Sequence, residues 1–171
     1  MKECTCKINR VWAMPNKWTF KIKPIKELLV KYNVGNGWID PFAGMYSPAE
    51  ITNDHREECN SKYHMDAVCF AKMVNNGIIG CLFDPPYSVH EVKRHYDSLN
   101  RKYDFKNDPT CGFKPVKDIL APKIKQNGII ISFGWNSNGF GKIRGFEKKE
   151  ILLVAHGGNR NDTIVTVEQK T

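Results

Sequence analysis

At 171 residues, 41% hydrophobic and 26% charged, the chain has the length and composition of one ordinary globular domain. Two full domains would be cramped, and a disordered or fibrous chain is excluded. Its 26 Lys and Arg outnumber 18 Asp and Glu for a net charge of +8. No run approaches the ~18–20 consecutive apolar residues of a membrane span.

Residues 1–20 read as an extended, irregular arm with Trp12, Pro15, Trp18 and Phe20 interspersed. Their polar start lacks the apolar core of a secretory leader, so an intracellular location without membrane contact is expected. A helix is predicted from Lys23-Pro24, because Pro suits the first turn and Ile25, Leu28, Leu29 and Tyr32 follow helical spacing. Gly35 and Gly37 are expected to end it. Trp38-Ile39 is a short strand opening into Asp40-Pro41-Phe42-Ala43-Gly44, and Ile51-Thr52 is a second, stopping at Asn53-Asp54. A third, very short strand is expected before Asp66, followed by a helix over 67–74.

The run 77–83, Gly-Ile-Ile-Gly-Cys-Leu-Phe, is continuously apolar, as in a strand buried on both faces of a parallel sheet. It stops at Asp84-Pro85-Pro86-Tyr87. Residues 88–115 form a polar, basic excursion with Tyr96, Tyr103, Phe105 and Phe113 interleaved. A helix around 115–125 leads to a buried strand at 129–133. Runs at 151–155 and 163–168 then read as an antiparallel pair. Strand–helix alternation with a terminal hairpin predicts an α/β domain with a largely parallel sheet, and 1–171 reads as one domain.

The charge is unevenly placed. The nets are +6 over 1–31, −4 over 32–90, +4 over 91–125 and +2 over 126–171. A basic frame around an acidic middle suits a polyanion held against a site for something cationic or hydroxyl-rich; solvated lysines are the competing reading. Six cysteines, at 4, 6, 59, 69, 81 and 111, match no zinc template, so no metal site is expected. Cys69 and Cys81 lie in apolar runs and read as buried thiols.

In open α/β sheets, ligands bind beyond the carboxyl ends of the strands. Two predicted strands end there in Asp-Pro, at Asp40-Pro41 and Asp84-Pro85. Either could be a simple turn. Yet a given tetrapeptide such as Asp84-Pro85-Pro86-Tyr87 arises by chance in fewer than roughly one chain in a thousand of this length. That tetrapeptide resembles the catalytic motif of the S-adenosylmethionine-dependent amino-methyltransferases acting on adenine N6 or cytosine N4. Asp40-Pro41-Phe42-Ala43-Gly44 resembles their cofactor loop, and the segment around Lys23-Pro24 with Leu28-Leu29 is similar to their Lys-Pro-x-x-Leu-Leu helix. The tail over 161–168 is like that of small phage-borne members.

The resemblance covers about residues 20–170. It implies a Rossmann-like class I methyltransferase fold, with a mostly parallel seven-stranded sheet, a terminal antiparallel hairpin and helices on both faces. It implies S-adenosylmethionine as cofactor. Asp40, Phe42 and Gly44, with Pro41 and Ala43 in the same loop and Lys23 and Pro24 on the helix, would lie near its methionine part. Asp54, or its neighbour Asn53, would hold the ribose, and Asp66 would meet the adenine. For Asp54 and Asp66 a helix N-cap is the alternative.

The chemistry suits those residues. An exocyclic amino nitrogen is a poor nucleophile because its lone pair is delocalised into the ring. Asp84 and the Pro85 carbonyl can each accept one of its N–H groups, and proline offers a carbonyl without a competing N–H. Pro86 shapes the turn and Tyr87 would stack on a flipped base. Positioning and electrostatics suffice without a covalent nucleophile.

Two departures stand out. The family loop usually continues Gly-x-Gly-Thr, but Gly44 is followed by Met45-Tyr46-Ser47-Pro48. No segment is long enough for a target-recognition domain. The spare material is the stretch 88–115, where Lys93, Arg94, Arg101, Lys102 and Lys106 are the candidate phosphate contacts and a solvated loop is the competing reading. The leading expectation is an adenine-N6 methyltransferase of DNA, since Ser commonly replaces Asp84 in the cytosine-N4 enzymes. Alternatives are the same reaction on RNA or single-stranded DNA, and a catalytically silent subunit binding nucleic acid or a partner. A protein partner supplying target recognition is a further possibility.

Overall fold

The computed structural model describes residues 6–87, 93, 113–158 and 160–171. Its centre is a seven-stranded sheet in the order β1-β6-β7-β5-β4-β2-β3. The strands are β1 (Lys7–Trp12), β2 (Trp38–Asp40), β3 (Ile51–Thr52), β4 (Ile78–Phe83), β5 (Ile124–Gly134), β6 (Phe146–Ala155) and β7 (Thr163–Lys170). All neighbours pair parallel except β7, which runs antiparallel between β5 and β6. The expected terminal hairpin is therefore β6–β7, with β7 inserted beside β5.

Period-two alternation sends successive side chains to opposite faces. Ile39, Cys81, Phe83 and Ile130 join one core with Phe70 and Ala71 of α2 (Ala67–Met73) and Val116 and Leu120 of α3 (Lys114–Leu120). Trp38, Leu82, Ile131 and Phe133 join the other with Ile25, Leu28 and Leu29 of α1 (Lys23–Lys31). Helices thus cover both faces, as expected.

The α1 helix starts with Pro24 in its first turn and ends earlier than the glycines suggest. Asn33 takes the left-handed conformation at φ +51°, the Asn33 N–H bonds Val30 O, and the Val34 N–H bonds Leu29 O. That is a Schellman close, with asparagine in the place glycine usually fills.

Three expectations need correction. The residues before Asp66 form no third strand; a single parallel bridge joins Asn53 to Tyr63. The seventh strand comes instead from the N-terminal arm, where Lys7–Trp12 pairs with 150–155 along the sheet edge. Its mixed sequence hid it, because an edge strand with one neighbour needs no continuous apolar run. Finally, Cys69 is exposed on α2, whereas Cys81 is fully buried as read. Among the described residues, no helix is long and apolar enough to cross a membrane.

Tight packing at the sheet centre fixes the spacing of β2 and β4. Trp38 lies opposite Gly80, and its indole covers the glycine so closely that an added Cβ would meet three ring atoms at 2.5–2.6 Å. Overpacking of this kind costs about 1–3 kcal/mol. Gly80→Ala is expected to lower the melting temperature by roughly 3–10 °C, as followed by circular dichroism.

Candidate active site

The carboxyl ends of β2, β3 and β4 lie side by side, and an acidic residue stands at or just past each one. Between them opens a cavity of about 550 Å³. Its walls are 17–20, 41–46, 53–56, 65–67, the tetrapeptide 84–87, and Phe113. The two Asp-Pro loops therefore meet across one space.

Asp40 ends β2 fully buried and does not line the cavity. Its Oδ1 accepts the Phe42 N–H at 2.9 Å and its Oδ2 accepts the Ser47 hydroxyl at 2.6 Å. The carboxylate thus ties the loop after β2 from below. Burial drives its pKa well above the usual carboxylate value, and Asp84 and Asp54 push in the same direction against those two hydrogen bonds.

Asn53 is a structural pin. Its side chain donates to Pro41 O and Met65 O and accepts from the Met65 N–H, while its main chain bonds Asp40 and Ala43. Asp54 caps no helix. Its Oδ1 accepts the N–H and Nε–H of Arg56, and its Oδ2 accepts the Gly44 N–H at 2.9 Å and Arg56 Nη2 at 3.3 Å. Burial would raise its pKa, but the Arg56 side chain and these N–H groups outweigh it and leave the carboxyl below its ordinary value. Asp66 does cap α2, its Oδ1 accepting from the N–H groups of Val68 and Cys69. It also borders the cavity.

Pro41, Phe42, Ala43 and Gly44 all line the space, Gly44 at φ +57°. Phe42 packs edge-on against Phe83 and Phe113. Lys23 and Pro24 do not reach it, because the chain passes the rim three residues earlier and α1 then turns onto the sheet face. The residues present instead are Lys17, Trp18, Thr19 and Phe20. Tyr46 stands on the rim, edge-on to Trp18 at 5.3 Å.

Asp84 follows β4 directly, and the Tyr87 hydroxyl donates to its Oδ1 at 2.5 Å. Tyr87 in turn meets Trp135, just past β5, edge-on at 5.7 Å. Lys93 is exposed; Arg94, Arg101, Lys102 and Lys106 lie outside the described residues. Arg56, Lys17, Trp18 and Met65 were not anticipated as lining residues. Only Arg56 carried a signal, standing two residues after an acid on the same short turn.

This architecture is the Rossmann-like class I methyltransferase fold. The chain resembles TrmN from Thermus thermophilus at a TM-score of 0.58 and 14% identity, covering 88% of this chain and 49% of that one. It spans about half the length of that protein. It also resembles the N-methyltransferase NodS from Bradyrhizobium japonicum WM9 (TM-score 0.55, 5% identity, 86% of this chain and 93% of that one). A Clostridium thermocellum protein assigned as an rRNA methylase matches at a TM-score of 0.51 and 10% identity, over 92% of this chain and 99% of that one. No protein-family model matches the chain, and no curated protein sequence does either.

Asp40 offers a test of the site's electrostatics. A carboxyl whose folded pKa is raised contributes stability that is complete below its unfolded value of ~3.9 and is lost as pH rises through the folded value. Asp40→Asn keeps an acceptor for the Phe42 N–H and removes the charge. The variant is expected to match the parent in urea midpoint near pH 4 and to exceed it increasingly as pH rises. A difference independent of pH would show that Asp40 titrates normally.

Proposed function

We propose that the chain is an S-adenosylmethionine-dependent methyltransferase acting on the exocyclic amino group of a nucleobase, adenine N6 in DNA in the first place. The observation carrying this reading is the juxtaposition of Asp84-Pro85-Pro86-Tyr87 with the loop 41–46 across one cavity. The space fits such a cofactor. Its volume lies within the ~300–1,000 Å³ of small-molecule sites. Phe42, Met65 and Ala67 give it apolar walls, and Asp54, Arg56 and Asp66 supply polar groups for a nucleoside. Gly44 leaves open backbone there, since a Cβ on it would meet nothing nearer than Arg56 Nη2 at 3.8 Å.

When bound, S-adenosylmethionine supplies an electrophilic methyl group on a sulfonium. The protein's task is to present the amino nitrogen. Asp84 and the Pro85 carbonyl accept its two N–H groups, which draws the nitrogen toward tetrahedral geometry and frees the lone pair. The Tyr87 hydroxyl holds the Asp84 carboxylate in orientation. The rings of Tyr87 and Trp135 provide a surface for the base, and base–aromatic stacking contributes ~1–3 kcal/mol per base. A second reading places the same chemistry on RNA. It is favoured by the likeness to a protein of nearly the same extent assigned as an rRNA methylase.

The test is transfer of labelled methyl to duplex DNA, single-stranded DNA and RNA, followed by digestion to nucleosides. Label is expected in N6-methyladenine. Asp84→Ala is expected to reduce kcat by at least ~100-fold, the scale seen when one preorganised hydrogen-bonding group is lost, with cofactor affinity retained in calorimetry. Transfer undiminished in that variant would overturn the role of Asp84. Cofactor binding without transfer to any polynucleotide would favour a silent subunit.

A further inference from the structure

Among the described residues, the large exposed aromatics are Trp12 (64%), Tyr46 (44%) and Trp135 (43%). Trp12 ends β1 and Trp135 follows β5 directly, while Tyr46 lies in the loop 41–50 that leaves β2. The other large exposed hydrophobics are aliphatic side chains or methionine. Water-exposed rings gathered along one edge call for a partner more than scattered ones do.

The segment after β1 connects them. Ala13 is held at the end of β6, its N–H bonding Ala155 O and its carbonyl meeting His156 Nδ1. Trp12 lies beside the turn at Gly157. From there the chain passes the ends of β6 and β7 and reaches β5, where Phe20 packs on Phe133. Three strand spacings make that path roughly 14 Å long. It ends at the cavity mouth, in a cluster of alternating rings and cations. Lys17 Nζ sits 4.9 Å from the Trp18 ring, Trp18 meets Tyr46, and Lys21 Nζ sits 3.5 Å from the Tyr46 ring. Neither lysine has a carboxylate within ion-pair distance among the described residues.

We infer that this rim, from Trp12 through Lys17 and Lys21 to Tyr46, is a track for a single-stranded polynucleotide leading into the cavity. The inference rests on the nucleobase reading above. Rings interleaved with ammonium groups that have no carboxylate partner among the described residues match the repeat of an unpaired strand, which offers a π-face and a phosphate at every nucleotide. A duplex keeps its bases stacked inside and would engage only the lysines. An apolar protein surface would leave two ammonium groups without counter-charge. The cation–π contacts orient the rings: each ammonium sits over one face of its ring, which leaves the opposite face as the one a base can stack on.

The test is fluorescence anisotropy of short labelled oligonucleotides, without cofactor and over a range of salt concentrations. Single-stranded DNA and RNA of one sequence are compared with the duplex. Single strands are expected to bind more tightly than the duplex. Binding by either strand type supports the track, and the stronger one names the chemistry of the backbone it meets. Lys17→Ala/Lys21→Ala should flatten the slope of log affinity against log salt by about 1.4, from two phosphates at ~0.7 each. Trp12→Ala should weaken binding at least ~5-fold with the slope unchanged, and Trp12→Phe should restore most of it. Equal or tighter duplex binding, an unchanged slope in the double variant, or full affinity in Trp12→Ala would overturn the inference. The two readings fail separately. Strand binding with the expected variant effects but no methyl transfer by the parent would keep the track and overturn the enzymatic reading. Methyl transfer with unchanged binding in Trp12→Ala and in the double lysine variant would overturn the track alone.

Discussion

Three carboxylates converge where β2, β3 and β4 end, on neighbouring strands only ~4.8 Å apart. Left alone they would repel one another; donors hold each in place, and burial with its two acidic neighbours pushes Asp40 toward its neutral form. Asp40 has the Phe42 N–H and the Ser47 hydroxyl, Asp54 has Arg56 and the Gly44 N–H, and Asp84 has the Tyr87 hydroxyl. These donors are also what shape the cavity wall. The loop after β2 is held from below by Asp40 and from the side by Asp54, so its course follows from settling the charges.

That lacing explains how a very short connection suffices. Parallel strands usually need a crossover of a dozen or more residues containing a helix. Here the ten residues 41–50 join β2 to β3 with no helix at all. Asn53 replaces the missing support, since its side chain binds Pro41 and Met65 and its main chain binds Ala43. Tyr46 and Ser47 belong to this economy. Ser47 supplies the hydroxyl that Asp40 needs, and Tyr46 is carried out to the rim, where Trp18 and Lys21 meet it.

What could be read in advance was whatever rests on local pattern. The apolar run 78–83, the helical spacing of Ile25, Leu28 and Leu29, and the Asp-Pro loops all encode their own geometry, and the sheet, its hairpin and the two facing loops followed from them. What could not be read depends on partners distant in sequence. Strand β1 is mixed in sequence, and is a strand only because the edge of β6 is there to pair with it. Cys69 sits in an apolar stretch but on the outward side of a two-turn helix. Lys23 and Pro24 make a helix start legible, yet the angle at which α1 leaves the rim decides which residues meet the cavity. Asp54 reads as a cap or a ribose ligand from its type alone. Its pairing with Arg56 follows from a turn whose course is set by Asn53.

The same logic gives the net charge a direction. The acidic middle of the sequence folds around the cavity, where Asp54, Asp66 and Asp84 border the space and Asp40 is buried behind it. Lys17 and Lys21 of the N-terminal segment stand at the rim, exposed and without carboxylate partners among the described residues, whereas Lys31 on α1 pairs with Glu150. A site negative at its base and positive at its mouth favours a cation held inside and a polyanion held outside. The potential thereby sorts the two proposed ligands before any specific contact is made. It also separates their salt dependences. Contacts at the rim weaken with ionic strength as counterions compete for the phosphates, whereas the buried carboxylates at the floor are screened far less.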